Sequence, residues 1–258
     1  MNQVTKKKST ELSVIDFEAD ASEFSAELTS DDFALPMLGL IQNLTQQKKV
    51  GSGEIGDIFN SVTKETYSGK DGLTVVPCFY ERVYIEWAPR DKEQGKFVNM
   101  YPLSWDINAH TTLGSDGKTR YMNDNSGNYV EDTAQHYVMV VSEEDKYPAL
   151  IAMKSTQLTS SRQWNTMKQS NTAKNKNGQV YVKPYFSKMY QLSSVEVVKR
   201  YTWYVWKAQP GRDLCEKDMT LYQTCRDFAK AAKAGAVNVE HGGDNTEGSS
   251  VDLEQAPF

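Results

Sequence analysis

Between Lys154 and Arg212 cations and flat rings are interleaved. The stretch holds eleven Lys and Arg residues and a single acid, Glu196, a local charge of +10. Among them stand Trp164, Tyr181, Tyr185, Phe186, Tyr190, Tyr201, Trp203, Tyr204 and Trp206. These two residue types suit a flexible polyanion with unpaired bases. Phosphates need cations, and unstacked bases need apolar ring faces, which supply about 1–3 kcal/mol per base whatever the base. Each phosphate neutralised on a single strand adds about 0.7 to the slope of log affinity against log salt. Parity sharpens the pattern. In 195–206, Val195, Val197, Tyr201, Trp203 and Val205 share one side of a strand and read as core, while Val198, Arg200, Thr202, Tyr204 and Trp206 share the other. In 73–87, Val75, Phe79, Val83, Ile85 and Trp87 form an apolar side opposite Tyr80, Arg82, Tyr84 and Glu86. The expected stacking residues are Tyr80, Tyr84, Trp164, Tyr185, Tyr204 and Trp206. The expected phosphate ligands are Arg82, Arg162, Lys168, Lys174, Lys176, Arg200 and Lys207. The plain alternative is ordinary sheet packing by the rings and solvation of the lysines.

Other chemistry is thinly represented. Cys78, Cys215 and Cys225 form no metal-ligand spacing, and His110, His136 and His241 are scattered, so neither a metal nor another cofactor is expected. No phosphate-binding glycine loop, nucleophile elbow or zinc-protease helix motif occurs. Glu81 and Glu86, with Lys92 nearby, leave open a metal-dependent nuclease as a lesser reading, and a non-enzyme is expected.

The elements that must position these residues follow from periodicity and punctuation. The arm, residues 1–34, carries eight acids and no base between Glu11 and Leu35; it reads as loosely held. Residues 35–235 form the folded domain. In it Pro36 to Leu44 packs against the rest, Ile55 to Thr63 and Leu73 to Trp87 are strands, and 107–134 is a polar loop or mobile hairpin. His136 to Val141 and Ala149 to Met153 are further strands. Ser155 to Ser170 is a helix, and Val180 to Lys207 a long strand region breaking near Ser193. A last helix spans Asp213 to Ala234, with Asp213 as cap, Glu216 completing a capping box and Gly235 closing it. Residues 236–258 are acidic, Gly- and Ser-rich, and read as disordered. The class is mainly β (α+β). No run approaches the apolar length of a membrane span, so no membrane partner is expected.

The chain ends Val251-Asp-Leu-Glu-Gln-Ala-Pro-Phe258. A flexible acidic linker leading to Phe258 offers a ring and an α-carboxylate at one point, suited to an apolar pocket with a basic rim. An ordinary frayed terminus is the alternative. With Asp252, Glu254, Pro257 and Phe258, this ending resembles the acidic tips of bacterial single-stranded DNA-binding proteins, which close on a Pro-Phe pair. It also resembles phage replication proteins of the same role, which end in acids and a terminal Phe. The likeness covers about the last eight residues. Leu35-Pro-Met-Leu-Gly-Leu-Ile-Gln, Gly53-Glu-Ile-Gly-Asp-Ile-Phe-Asn and Val75-Val-Pro are similar to segments of tailed-phage proteins. The resemblance implies an elaborated OB-type β-barrel with an intervening helix and a C-terminal helix. It also implies sequence-tolerant binding of single-stranded DNA during phage replication and recombination. Contacts with replication or recombination proteins through the tail, in the cytoplasm of the infected host cell, belong to the same expectation. The rival is a non-enzymatic phage accessory or anti-defence factor that uses its aromatic patch on a host protein.

Overall fold

The structure, a computed structural model, describes residues 34–43, 53–89, 95–143, 145–237 and 239. The arm up to residue 33, Lys92 and the tail residues Asp252, Glu254, Pro257 and Phe258 lie outside the described residues.

The long alternating segment is a strand with the bounds read from its pattern, β4 (Leu73–Trp87). It pairs antiparallel with β8 (Tyr129–Val141), and the two form the spine of the main sheet. β9 (Lys146–Lys154) lines the other edge of β8. β5 (Phe97–Pro102) pairs the outer half of β4. The short β6 (Thr111–Leu113) and β7 (Arg120–Met122) extend the sheet beyond β8. On the opposite side β12 (Lys188–Val198) joins β4 only through Tyr190–Leu192, and β13 (Thr202–Asp213) pairs β12 along its length. A small sheet is built from β1 (Leu38–Leu40), β2 (Ile58–Asn60) and β3 (Thr66–Tyr67). β10 (Thr172–Lys174) and β11 (Val180–Val182) form a separate hairpin. The fold is mainly β, of the α+β kind, and the sheets are open among the described residues.

Both faces of the spine are covered. On one face α2 (Leu158–Ser170) lays Trp164 onto Val138, Ile151, Tyr190 and Trp206. On the other face α3 (Met219–Lys233) presses Leu221 and Cys225 against Val76, Cys78 and Met139. A β-bulge decides which residues go where. The β4–β8 register passes from Pro77↔Val138 to Phe79↔Tyr137, leaving Cys78 as the extra residue. An extra residue reverses the alternation. Val75 therefore packs on the α2 side together with Tyr80, and not with Phe79 as unbroken parity predicts.

Three further expectations are corrected. Residues 107–134, expected as a polar loop or a mobile hairpin, are not a loop: α1 (Ile107–His110) leads into a hairpin of β6 and β7, and the first part of β8 follows. The strand region from 180 breaks at residues 183–187 and 199–201 rather than near Ser193. Asp213 ends β13 and is held by Lys183 and Lys188, at 2.7 and 3.0 Å, so it does not cap the last helix. The capping box lies two residues further on, at a short 3-10 turn (Glu216–Asp218) where the Cys215 amide donates to Asp218 at 2.9 Å; α3 follows that turn without a side-chain cap bond and begins six residues later than expected. Gly235 closes it at φ +69.

Candidate functional site

The inner side of α2 carries Ser161, Trp164 and Lys168, spaced to fall on one helical stripe. All three are buried. His136 of β8 lies beneath them, its Nε2 2.8 Å from Ser161 Oγ and its Nδ1 3.3 Å from Lys168 Nζ. Its ring is stacked against Trp164, with centroids 4.6 Å apart. The Lys168 ammonium is boxed by three ring faces, Trp164 and Tyr185 at 4.8 Å and Tyr80 at 5.1 Å. Burial pushes the Lys168 amine down to about 7. Burial, and then the charge of Lys168, holds the His136 imidazole well below its usual value. The expected ligands Tyr80, Trp164, Lys168 and Tyr185 are thus brought together, but as an interior cluster in which Lys168 is 2% exposed.

The outer-platform reading of β13 is also corrected. Its parity holds, yet its sides are exchanged. Trp206 is 3% exposed and sits in the core. Tyr204 packs against that core, and its backbone N–H and C=O are clasped by the Gln42 side chain at 2.9 Å each. Val195, read as core, is exposed. Apolar neighbours on β4 and α2, not parity alone, choose the inward side.

Of the eleven cations, several are occupied. Lys168 is buried, Lys154 pairs Glu131, Lys183 and Lys188 share Asp213, and Arg212 pairs Asp218. Arg82, outside the segment, is held by both oxygens of Asp132. Arg162, Lys174, Lys176, Lys199, Arg200 and Lys207 are exposed and make no ion pair among the described residues. Four of these six stand on two hairpins. β10–β11 carries Lys174, Lys176 and Tyr181, the last 48% exposed. The tip of β12–β13 carries Lys199, Arg200 and Tyr201, the last 36% exposed, with the Arg200 guanidinium 5.7 Å from the Tyr201 ring centre. Arg162 is on the outer side of α2, bonded only to Leu158 O and Thr159 Oγ1. Lys207 points away from its neighbour Trp206, to the opposite face of the sheet. Each hairpin therefore carries two unpaired cations and one open ring, with a cation shown against its ring at the β12–β13 tip. Tyr181 and Tyr201 replace the buried Trp164 and Trp206 as the accessible rings of the segment. Parity puts Tyr201 with Val195 on the side read as core, and the exchange of sides turns both outward.

A column of rings went unread in the sequence. Trp105 lies between Tyr101, 4.1 Å away and tilted by 10°, and His110, 5.1 Å away and tilted by 7°. Tyr84 of β4 leans on it at 6.2 Å. The buried Glu86 carboxylate anchors the column, accepting from Tyr101 Oη and Asn128 Nδ2, each at 2.6 Å. The only sequence signal is a scatter of rings in a polar stretch, without periodicity. Glu81 is on the other face of β4, bonded to Tyr137 Oη at 2.7 Å, so the two carboxylates do not face a common point. Among the described residues no group of three or more His, Cys, Asp or Glu is placed to hold a metal ion. No helix there is long and apolar enough to cross a membrane.

No curated protein and no solved structure matches this chain. One family model does, that of the Pam3 phage gp34-like protein, over residues 5–238, which takes in the whole sheet, α2, α3 and both hairpins. The chain accordingly belongs to the Pam3 phage gp34-like family, a family of bacteriophage proteins.

Proposed function

We propose that this phage protein binds single-stranded DNA without reading its sequence, as a non-enzymatic component of phage DNA replication or recombination in the infected host cell. The observation that carries the reading is the pair of protruding hairpins, each with two unpaired cations and one open tyrosine. Cations would hold phosphates while Tyr181 and Tyr201 stack on bases. Arg162 and Lys207 add charge to the same segment. An OB-type reading of the fold goes with this proposal. In that architecture nucleic acid crosses a sheet face flanked by loops, and β10–β11 and β12–β13 would take the part of those loops. The tail, with Asp252, Glu254, Pro257 and Phe258, would recruit replication or recombination proteins.

The test is fluorescence anisotropy with labelled oligo-dT at about 50 and 200 mM salt. The expected result is binding that weakens steeply at the higher salt, with quenching of protein fluorescence. Absence of binding at the lower salt sinks the proposal. That result favours the rival, a protein-interaction factor, for which exposed Val98, Met100, Leu103, Leu113 and Tyr121 on and around β5–β7 supply an apolar surface.

A further inference from the structure

The β10–β11 hairpin is the less supported of the two. It pairs with no other strand, and isolated two-stranded hairpins of this length are marginal in water. What holds it is its base. Its first strand follows the last turn of α2, beginning four residues after Lys168. Its second strand returns to the turn at Tyr185–Ser187. Lys183 N donates to Asn171 O at 2.8 Å to close the neck. Both ends thus converge on one buried group, since the Tyr185 ring rests 4.8 Å from Lys168 Nζ.

We propose that Lys168 is a positioning residue for the β10–β11 hairpin: the neutral amine fills its box of rings and keeps the hairpin base shut, and uptake of a proton there opens the base. The physical reason is that the Lys168 amine is buried with no carboxylate paired to it among the described residues. From β8 it faces His136, from β4 Tyr80 and from the 185–187 turn Tyr185, while Tyr190 of β12 stands behind Trp164. The charged groups beyond are already committed, Arg82 to Asp132, Lys154 to Glu131, and Lys183 and Lys188 to Asp213. The three rings attract the cation, while burial opposes it and pushes the amine down to about 7 from 10.5. Any opening that returns Lys168 to water restores its normal basicity. Such an opening becomes more favourable as pH falls from about 10.5 to about 7 and levels off below. Displacing the half-buried Tyr185 opens the box, and Tyr185 carries the hairpin base with it because β11 leads into its turn. The charged Lys168 then joins Lys174, Lys176 and Arg162 as a phosphate ligand. This second step rests on the single-stranded DNA reading; the opening itself does not.

Two readouts separate them. The first is limited trypsin digestion at Lys174 and Lys176 of the full chain without DNA, scaled to Lys168→Met at each pH. The expected result is a wild-type cleavage rate that rises about fiftyfold over the variant between pH 9 and pH 7. A ratio that stays constant overturns the proposal. Should Lys168→Met fail to fold, the Tyr185 ring signals in NMR replace it. They are expected to shift with a midpoint near neutrality, and immobile signals between pH 6 and 9 overturn the proposal equally. The second readout is oligo-dT affinity, expected to rise severalfold on acidification in the wild type and to stay flat in Lys168→Met. No oligonucleotide binding at any pH removes the DNA reading and leaves the hairpin control to the digestion result. Binding that shows the same pH profile in both proteins removes the proposed role of Lys168 and leaves DNA binding standing.

Discussion

At Lys168, burial and aromatic packing act on one ammonium in opposite directions, and the balance has a sign that solution measurements can read. The unfolded chain keeps the Lys168 proton up to about pH 10.5, whereas the folded protein releases it near 7. In between, the unfolded state holds more protons, so stability rises with pH. His136, kept neutral by burial, adds a second limb: the unfolded chain takes up a proton below about 6.5 that the folded protein refuses, so stability falls as pH drops through that region. The rise ends toward pH 9–10. There the raised Cys78 thiol and the phenols of Tyr67, Tyr137 and Tyr190 hold protons that the unfolded chain gives up. Urea titrations at about pH 5, 7 and 9 are expected to give stabilities increasing in that order, with about 2–3 kcal/mol gained between 7 and 9. Lys168→Met, whose flexible side chain fits the box, is expected to lose the upper rise and keep the lower one. Equal stability of the wild type at pH 7 and 9 contradicts the account. None of this was legible from the sequence. Ser161, Trp164 and Lys168 recur at helical spacing, but a stripe containing lysine and serine scores as a solvated face, and only the ring partners on β4 and in the 185–187 turn turn it inward.

The elements were legible where one force dominates. β4 has the bounds its alternation predicts because a two-faced strand is set by hydrophobicity alone. The faces of β4 and β13 were not legible, for two different reasons. A bulge at Cys78 shifts every later residue to the other side, and nothing in Pro77-Cys78-Phe79 announces it. In β13 both sides carry rings, so the choice belongs to what packs on top. There the small sheet takes part. Gln42, just past β1, clasps the Tyr204 backbone, and Gly56, just before β2, lies against the Tyr204 ring. A Cβ at Gly56 would come within 2.5 Å of that ring, and its φ is +93. Both the collision and the left-handed backbone penalise a side chain. Gly56→Ala is expected to cost about 2 kcal/mol or more by chemical denaturation. Gly39→Ala, in β1 with nothing within 4 Å of its added carbon, is expected to stay within about 0.5 kcal/mol. Equal effects at the two glycines remove the argued dependence of β13 on the small sheet.

Over the whole molecule, net charge misleads. The chain totals −5, yet the segment 154–212 sums to +10. The fold divides that charge further, because paired and buried cations contribute little to a distant polyanion. Lys154, Lys183, Lys188 and Arg212 each have a carboxylate within 3.0 Å. What this segment offers a nucleic acid is the charge of six cations that are unpaired among the described residues, four of them on the two hairpins. If both hairpins grip one strand, each should account for a separable part of the salt dependence. Lys174→Glu with Lys176→Glu, and Lys199→Glu with Arg200→Glu, are each expected to lower the slope of log affinity against log salt by up to about 1.4, two phosphates at about 0.7 each. Arg212→Ala, removing a cation already spent on Asp218, is expected to leave the slope close to the wild-type value. Tyr181→Ala and Tyr201→Ala act on a different quantity. They weaken binding at every salt concentration, about tenfold per lost stack, with the slope unchanged. Parallel salt plots for the tyrosine variants and flattened ones for the charge variants distinguish two-hairpin gripping from diffuse attraction. Under diffuse attraction, Arg212→Ala and any single hairpin substitution lower the slope by similar amounts.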